Sequence, residues 1–153
     1  MPDEQNSGNY WLDRMDQHLE EINDPVLLIL KGHLLIEEVL FSKLKEQVSE
    51  PRYLIDARLR FSQLLSLARA FFSPDVRAEH KVDMDSTWDA LKALSEIRNR
   101  LAHRLDNDDM CSQLRRFFVA YPYKNEPLSD PNLRGAINQT LGFLLGFASM
   151  LHK

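Results

Sequence analysis

Residues 25–48 read PVLLILKGHLLIEEVLFSKLKEQV, and their apolar positions recur at spacings of three and four from one end to the other. That is the period of an α-helix, where residues three or four apart share a face. A helix so rich in Leu, Ile and Val needs cover on several sides, so it is expected at the centre of a helical bundle. Asp24 stands where an N-cap is wanted, and Pro25 occupies the first helical position, where its missing N–H costs nothing. Ser49, Glu50 and Pro51 end the run.

The flanking segments carry the same period. Residues 9–22 form a first helix, stopped by Asn23, Asp24 and Pro25, and belong to an acidic arm over 1–24 in which Asp3, Glu4, Asp13, Asp16, Glu20, Glu21 and Asp24 face Arg14 alone. A third helix is expected over 57–72, and a fourth from Thr87, capped by Asp85 or Ser86. DNDDM after Leu105 offers caps for a short helix through Cys111 to Tyr121, the turn-rich 122–131 reads as a loop, and 132–152 as a last helix. Few residues alternate with the period of a strand. The expectation is an all-α, single-domain bundle of about five or six helices spanning 1–153.

Composition narrows the class. With 153 residues, 44% hydrophobic and 27% charged, the chain can bury one core and does not have the make-up of a disordered segment. It has no apolar run near 20 residues and no basic, apolar leader pattern, so a cytoplasmic protein without a membrane partner is expected. Its one cysteine, Cys111, fits a reducing compartment. The net charge of −4 does not advertise nucleic-acid binding, yet arginines cluster locally. Arg52, Arg58, Arg60, Arg69 and Arg77 face only Asp56 and Asp75; Arg98, Arg100, Arg104, Arg115 and Arg116 face Asp106, Asp108 and Asp109. Solvated helix faces and phosphate-binding grooves both look like this.

The stretch 96–105, EIRNRLAHRL, poses the chemical question. On a helical projection Ala90, Leu91, Leu94, Ile97, Leu101 and Leu105 form one apolar arc, and Arg98 falls inside it. A guanidinium stays charged, so that position calls for a snorkelling exit, a carboxylate partner or a task. Arg98 and His103 lie about 140° apart on an ideal helix, whereas Asn99 and His103 share a face. A single site using both charged groups needs a broken helix or two copies of it. With no further function, Arg98 would pair with Glu37 or Glu38, and His103 would sit at a helix C-terminus, favoured by the dipole.

Together, GHLLIEEVL (32–40) on the long helix and EIRNRLAH (96–103) resemble the HEPN superfamily, small all-α domains marked by Arg, a polar residue, a few others and His. The resemblance implies a homodimer that joins two such motifs in one cleft and cleaves RNA without a metal or other cofactor. Carried over, Arg98 would hold and polarise the scissile phosphate, His103 would transfer protons and Asn99 would orient the site. Glu37 or Glu38 would orient Arg98, and Arg100 and Arg104 would bind RNA. The chemistry is sound in its own right: a ribose 2′-hydroxyl attacks the adjacent phosphodiester, histidine moves the proton and arginine stabilises the developing charge, leaving a cyclic phosphate. A toxin or defence role with an antitoxin or regulatory partner follows from the likeness. Some related toxins are neutralised by modification of a tyrosine two residues after the histidine; here that residue is Leu105. The alternative is a non-catalytic module of the same fold that binds a protein.

Other patterns carry less. His33 and Glu37 share a face, but two ligands do not make a metal site. DNDDMC begins like a calcium loop and fails at Cys111, where glycine is required, and at Phe117. Tyr121 and Tyr123 could stack on bases from the expected loop.

Overall fold

A computed structural model describes residues 7–72, 78–103 and 130–150. Among them are six helices and no strand: α1 (Ser7–Leu19), α2 (Pro25–Gln47), α3 (Pro51–Asp56), α4 (Phe61–Phe72), α5 (Ala78–His103) and α6 (Asp130–Met150). The all-α bundle expected from periodicity is the observed architecture. The expected short helix through Cys111 to Tyr121, the 122–129 part of the expected loop, and Arg104 lie outside the described residues.

The long apolar run is the axis of the molecule. α2 touches each of the other five helices, and Leu28, Ile29, Leu35, Ile36, Val39, Leu40 and Leu44 on it are buried. Each such side chain removed from water contributes roughly 1.5–3 kcal/mol. Asp24 caps the helix as anticipated, its Oδ1 accepting from Val26 N at 2.8 Å and Leu27 N at 3.3 Å. Against α2 pack Trp11, Met15 and Leu19 of α1, Phe61, Leu64 and Ala68 of α4, Leu91, Leu94 and Ile97 of α5, and Ile137, Leu141 and Leu144 of α6. Gly32 admits α6 closely: a Cβ there would meet Ile137 Cδ1 at 2.8 Å.

Several boundaries differ from expectation: α1 ends at Leu19 rather than Ile22, and α6 begins at Asp130, inside the expected loop. The helix expected over 57–72 starts only at Phe61, and Pro51 starts a helix of its own, α3, rather than merely ending α2. That short α3 closes at Arg58, whose φ of 46° lies in the left-handed region usually given to glycine. The fourth helix begins at Ala78, nine residues ahead of Thr87. Propensity alone did not mark that start, since Asp85 and Ser86 resemble caps but are passed through as helix interior.

α1 is tied down at its far end by a residue distant in sequence. Arg134 of α6 donates from Nε to the Leu19 carbonyl at 3.0 Å and from Nη2 to the Ile22 carbonyl. Both carbonyls lie at the C-terminal end of α1, where Leu19 O also accepts a long bond from Ile22 N at 3.3 Å, so the guanidinium supplements what the helix end lacks.

Candidate functional site

α5 runs unbroken from Ala78 to His103, so the angular argument about Arg98 and His103 applies to the folded chain. Within one copy the two side chains do not share a face. Ala90, Leu91, Leu94 and Ile97 are buried, as the apolar arc requires, while Arg98, Asn99, Arg100 and His103 are exposed. Arg98 therefore leaves the arc for solvent, the first of the three resolutions its position allowed. Its Nη1 donates to Asn99 Oδ1 at 3.1 Å, a bond between neighbours that fixes the guanidinium without neutralising it.

The glutamates of α2 do not share the role expected of them. Glu38 forms an ion pair with Arg14 Nη2 of α1 at 2.7 Å. No ion pair joins Arg98 to Glu37 or Glu38 among the described residues. Glu37 does stand on the Arg98 side of α2, with Oε2 3.9 Å from Nδ1 of His33. That distance is too long for a hydrogen bond.

His33 is the residue that joins the two stretches. Only 3% of it is exposed, its ring lies 4.2 Å from that of Phe61 at a 45° tilt, and its Nε2 has no hydrogen-bond partner among the described residues. Its pKa is lowered from 6.5 to about 4, first by burial and second by the positive charge of Arg98. α2 and α5 pack against each other and the charge of Arg98 is felt at His33, so the 32–40 and 96–103 stretches lie near one another across the α2–α5 seam. At neutral pH the imidazole is uncharged and leaves the cation of Arg98 undiminished. Sequence reasoning favoured a packed, hydrogen-bonded His33 over a metal ligand, and the ring is packed as expected though its Nε2 is unbonded among the described residues; its neighbourhood with Arg98 spans 65 positions, which no local spacing encodes. Arg14 was missed for the same reason.

The arrangement is an exposed, oriented arginine beside a neutral buried histidine and a partly exposed carboxylate. It is suited to receiving an anion at Arg98. No group of three or more potential metal ligands occurs among the described residues, and none of the described helices is long and apolar enough to cross a membrane. Comparison of the chain with protein-family models, with curated proteins and with solved structures gave no match.

Proposed function

We propose that this protein is a HEPN-like, metal-independent endoribonuclease of the cytoplasm, acting as a homodimer in a toxin or defence setting. The observation that carries the reading is Arg98: exposed, bonded to Asn99, without a carboxylate partner among the described residues, and set beside the 32–40 stretch of α2. A cation so placed costs the fold little and is available to a phosphodiester. His103, one and a half turns further along α5, supplies proton transfer from the second copy, because the unbroken helix separates it from Arg98 of its own. Arg100 would extend the cationic track along α5, Arg104 is expected to bind RNA as well, and an antitoxin or regulatory protein would act by covering that track.

A second reading has its own support. Large apolar side chains are exposed at Leu27 and Leu34, which favours a protein-binding module of the same fold. Purified protein incubated with mixed RNA in EDTA separates the two. Cleavage to cyclic-phosphate ends, lost in both Arg98→Ala and His103→Ala, is the result expected of the nuclease. Equal inertness of wild type and variants, with a protein partner copurifying, would establish the module instead.

A further inference from the structure

Among the described residues the exposed apolar side chains of α2 gather on one side, and what that side carries points to its occupant. Leu27 is 42% exposed and Leu34 56%, while Leu30 and Phe41 beside them are half-buried. Leu27, Leu34 and Phe41 recur every seven residues and so fall within about 40° of one another, the seam geometry of paired helices. Lys31 and Glu38 border the seam on its α1 flank. Glu38 meets Arg14 through Oε2, and Arg14 reaches back to the Tyr10 hydroxyl, which puts the half-exposed Tyr10 ring at the rim.

We infer that this face pairs with the same face of a second copy, antiparallel, about a two-fold axis passing beside Leu34. The pattern is self-complementary in that arrangement. Leu34 meets its own copy, Leu27 meets Phe41, and Lys31, three residues before the axis, meets Glu38, four residues after it on the same flank. Apolar groups cover apolar groups and opposite charges face each other. A parallel pairing exchanges the flanks, which sets Lys31 and Glu38 of the two copies on opposite edges where they cannot meet, so the charge pairing belongs to the antiparallel form.

The axis has a consequence for Arg98. Rotation about it keeps each flank of α2 on the same side of the pair, so both copies of Arg98 lie along one edge, the flank of His33 and Glu37. α5, which carries Arg98, packs directly on α2, and the charge of Arg98 is felt at His33, next to Leu34, so the two arginines share the edge that the axis crosses. The face thus brings two oriented cations to one groove. The inference rests on the nuclease reading only for the use of that groove, not for the pairing itself.

Sedimentation velocity across a concentration series tests the pairing on the full chain. Wild type is expected to dimerise, and Leu34→Glu to weaken the dimer by about 30-fold or more with an unchanged far-ultraviolet spectrum, since it buries two like charges at the centre of the interface. In a Cys111→Ser background, Leu34→Cys should cross-link to itself with a short bismaleimide. Leu12→Cys, exposed on the flank of α1 turned away from the seam, should not. A wild type that stays monomeric at every concentration, or a Leu34→Glu protein that dimerises as tightly, overturns the proposal. RNA cleavage on the same samples keeps the two readings apart. A dimer inert on RNA retains the interface and removes the nuclease; a monomeric Leu34→Glu protein that cleaves as well as wild type removes the link between interface and site.

Discussion

His33 shows how a single side chain can record its surroundings. Buried against Phe61 and near Arg98, it takes up a proton only near pH 4 when folded, but near 6.5 in the unfolded chain. The unfolded state therefore binds more protons between those values, and stability must fall as pH drops through that window. It is fully present above about 6.5, and the loss reaches about 3 kcal/mol by pH 4. Urea titrations at pH 7, 5.5 and 4 should show this decline in wild type and a much flatter profile in His33→Leu, which has no proton to gain. A wild-type profile flat between pH 7 and 4 would mean that the imidazole is not shielded from water as described. Arg98 and Asn99 illustrate the opposite case, an exposed pair whose interest lies in what it leaves unneutralised.

At the scale of elements, helix existence was easy to read and helix ends were not. The period of α2 and the Asp24–Pro25 start are local properties, which is why they were legible. The start of α5 at Ala78 and the turn at Arg58 are set by packing between α4 and α5 and by the short α3, contexts that a linear reading lacks. The end of α1 depends on Arg134, 115 residues from Leu19. Replacing Arg134 with Ala should destabilise the protein by about 2 kcal/mol, because two charge-assisted bonds to carbonyls at the end of α1 are lost. Lysine cannot reproduce the two-pronged geometry, so Arg134→Lys should recover less than half of that loss in the same denaturation measurement. Full recovery by lysine would show that charge alone matters there.

At the scale of the whole molecule the unbroken α5 sets the terms for the proposed catalysis. Since Arg98 and His103 diverge on one helix, a site that uses both takes one from each copy. The expected signature is complementation. Arg98→Ala and His103→Ala, each inactive alone, should regain about a quarter of wild-type RNA cleavage when mixed and allowed to exchange, since about half of the dimers are mixed and each mixed dimer retains one intact site. Mixed samples as inert as the separate variants, despite subunit exchange verified by a fluorescence label, would show that the two residues do not act across copies. The candidate site was legible only in part. Arg98, Asn99 and His103 stood out by type and spacing, whereas Glu38 was expected beside Arg98 and is held by Arg14.

Periodicity and punctuation were enough to specify an all-helical chain with α2 at its heart and to single out an arginine at odds with its apolar neighbours, because these depend on residues within a turn or two of each other. Which carboxylate meets which cation, how deeply His33 is buried and which face of α2 remains open depend on segments tens of residues apart. Only packing brings those segments together, and it does so by satisfying the whole core at once rather than any one helix.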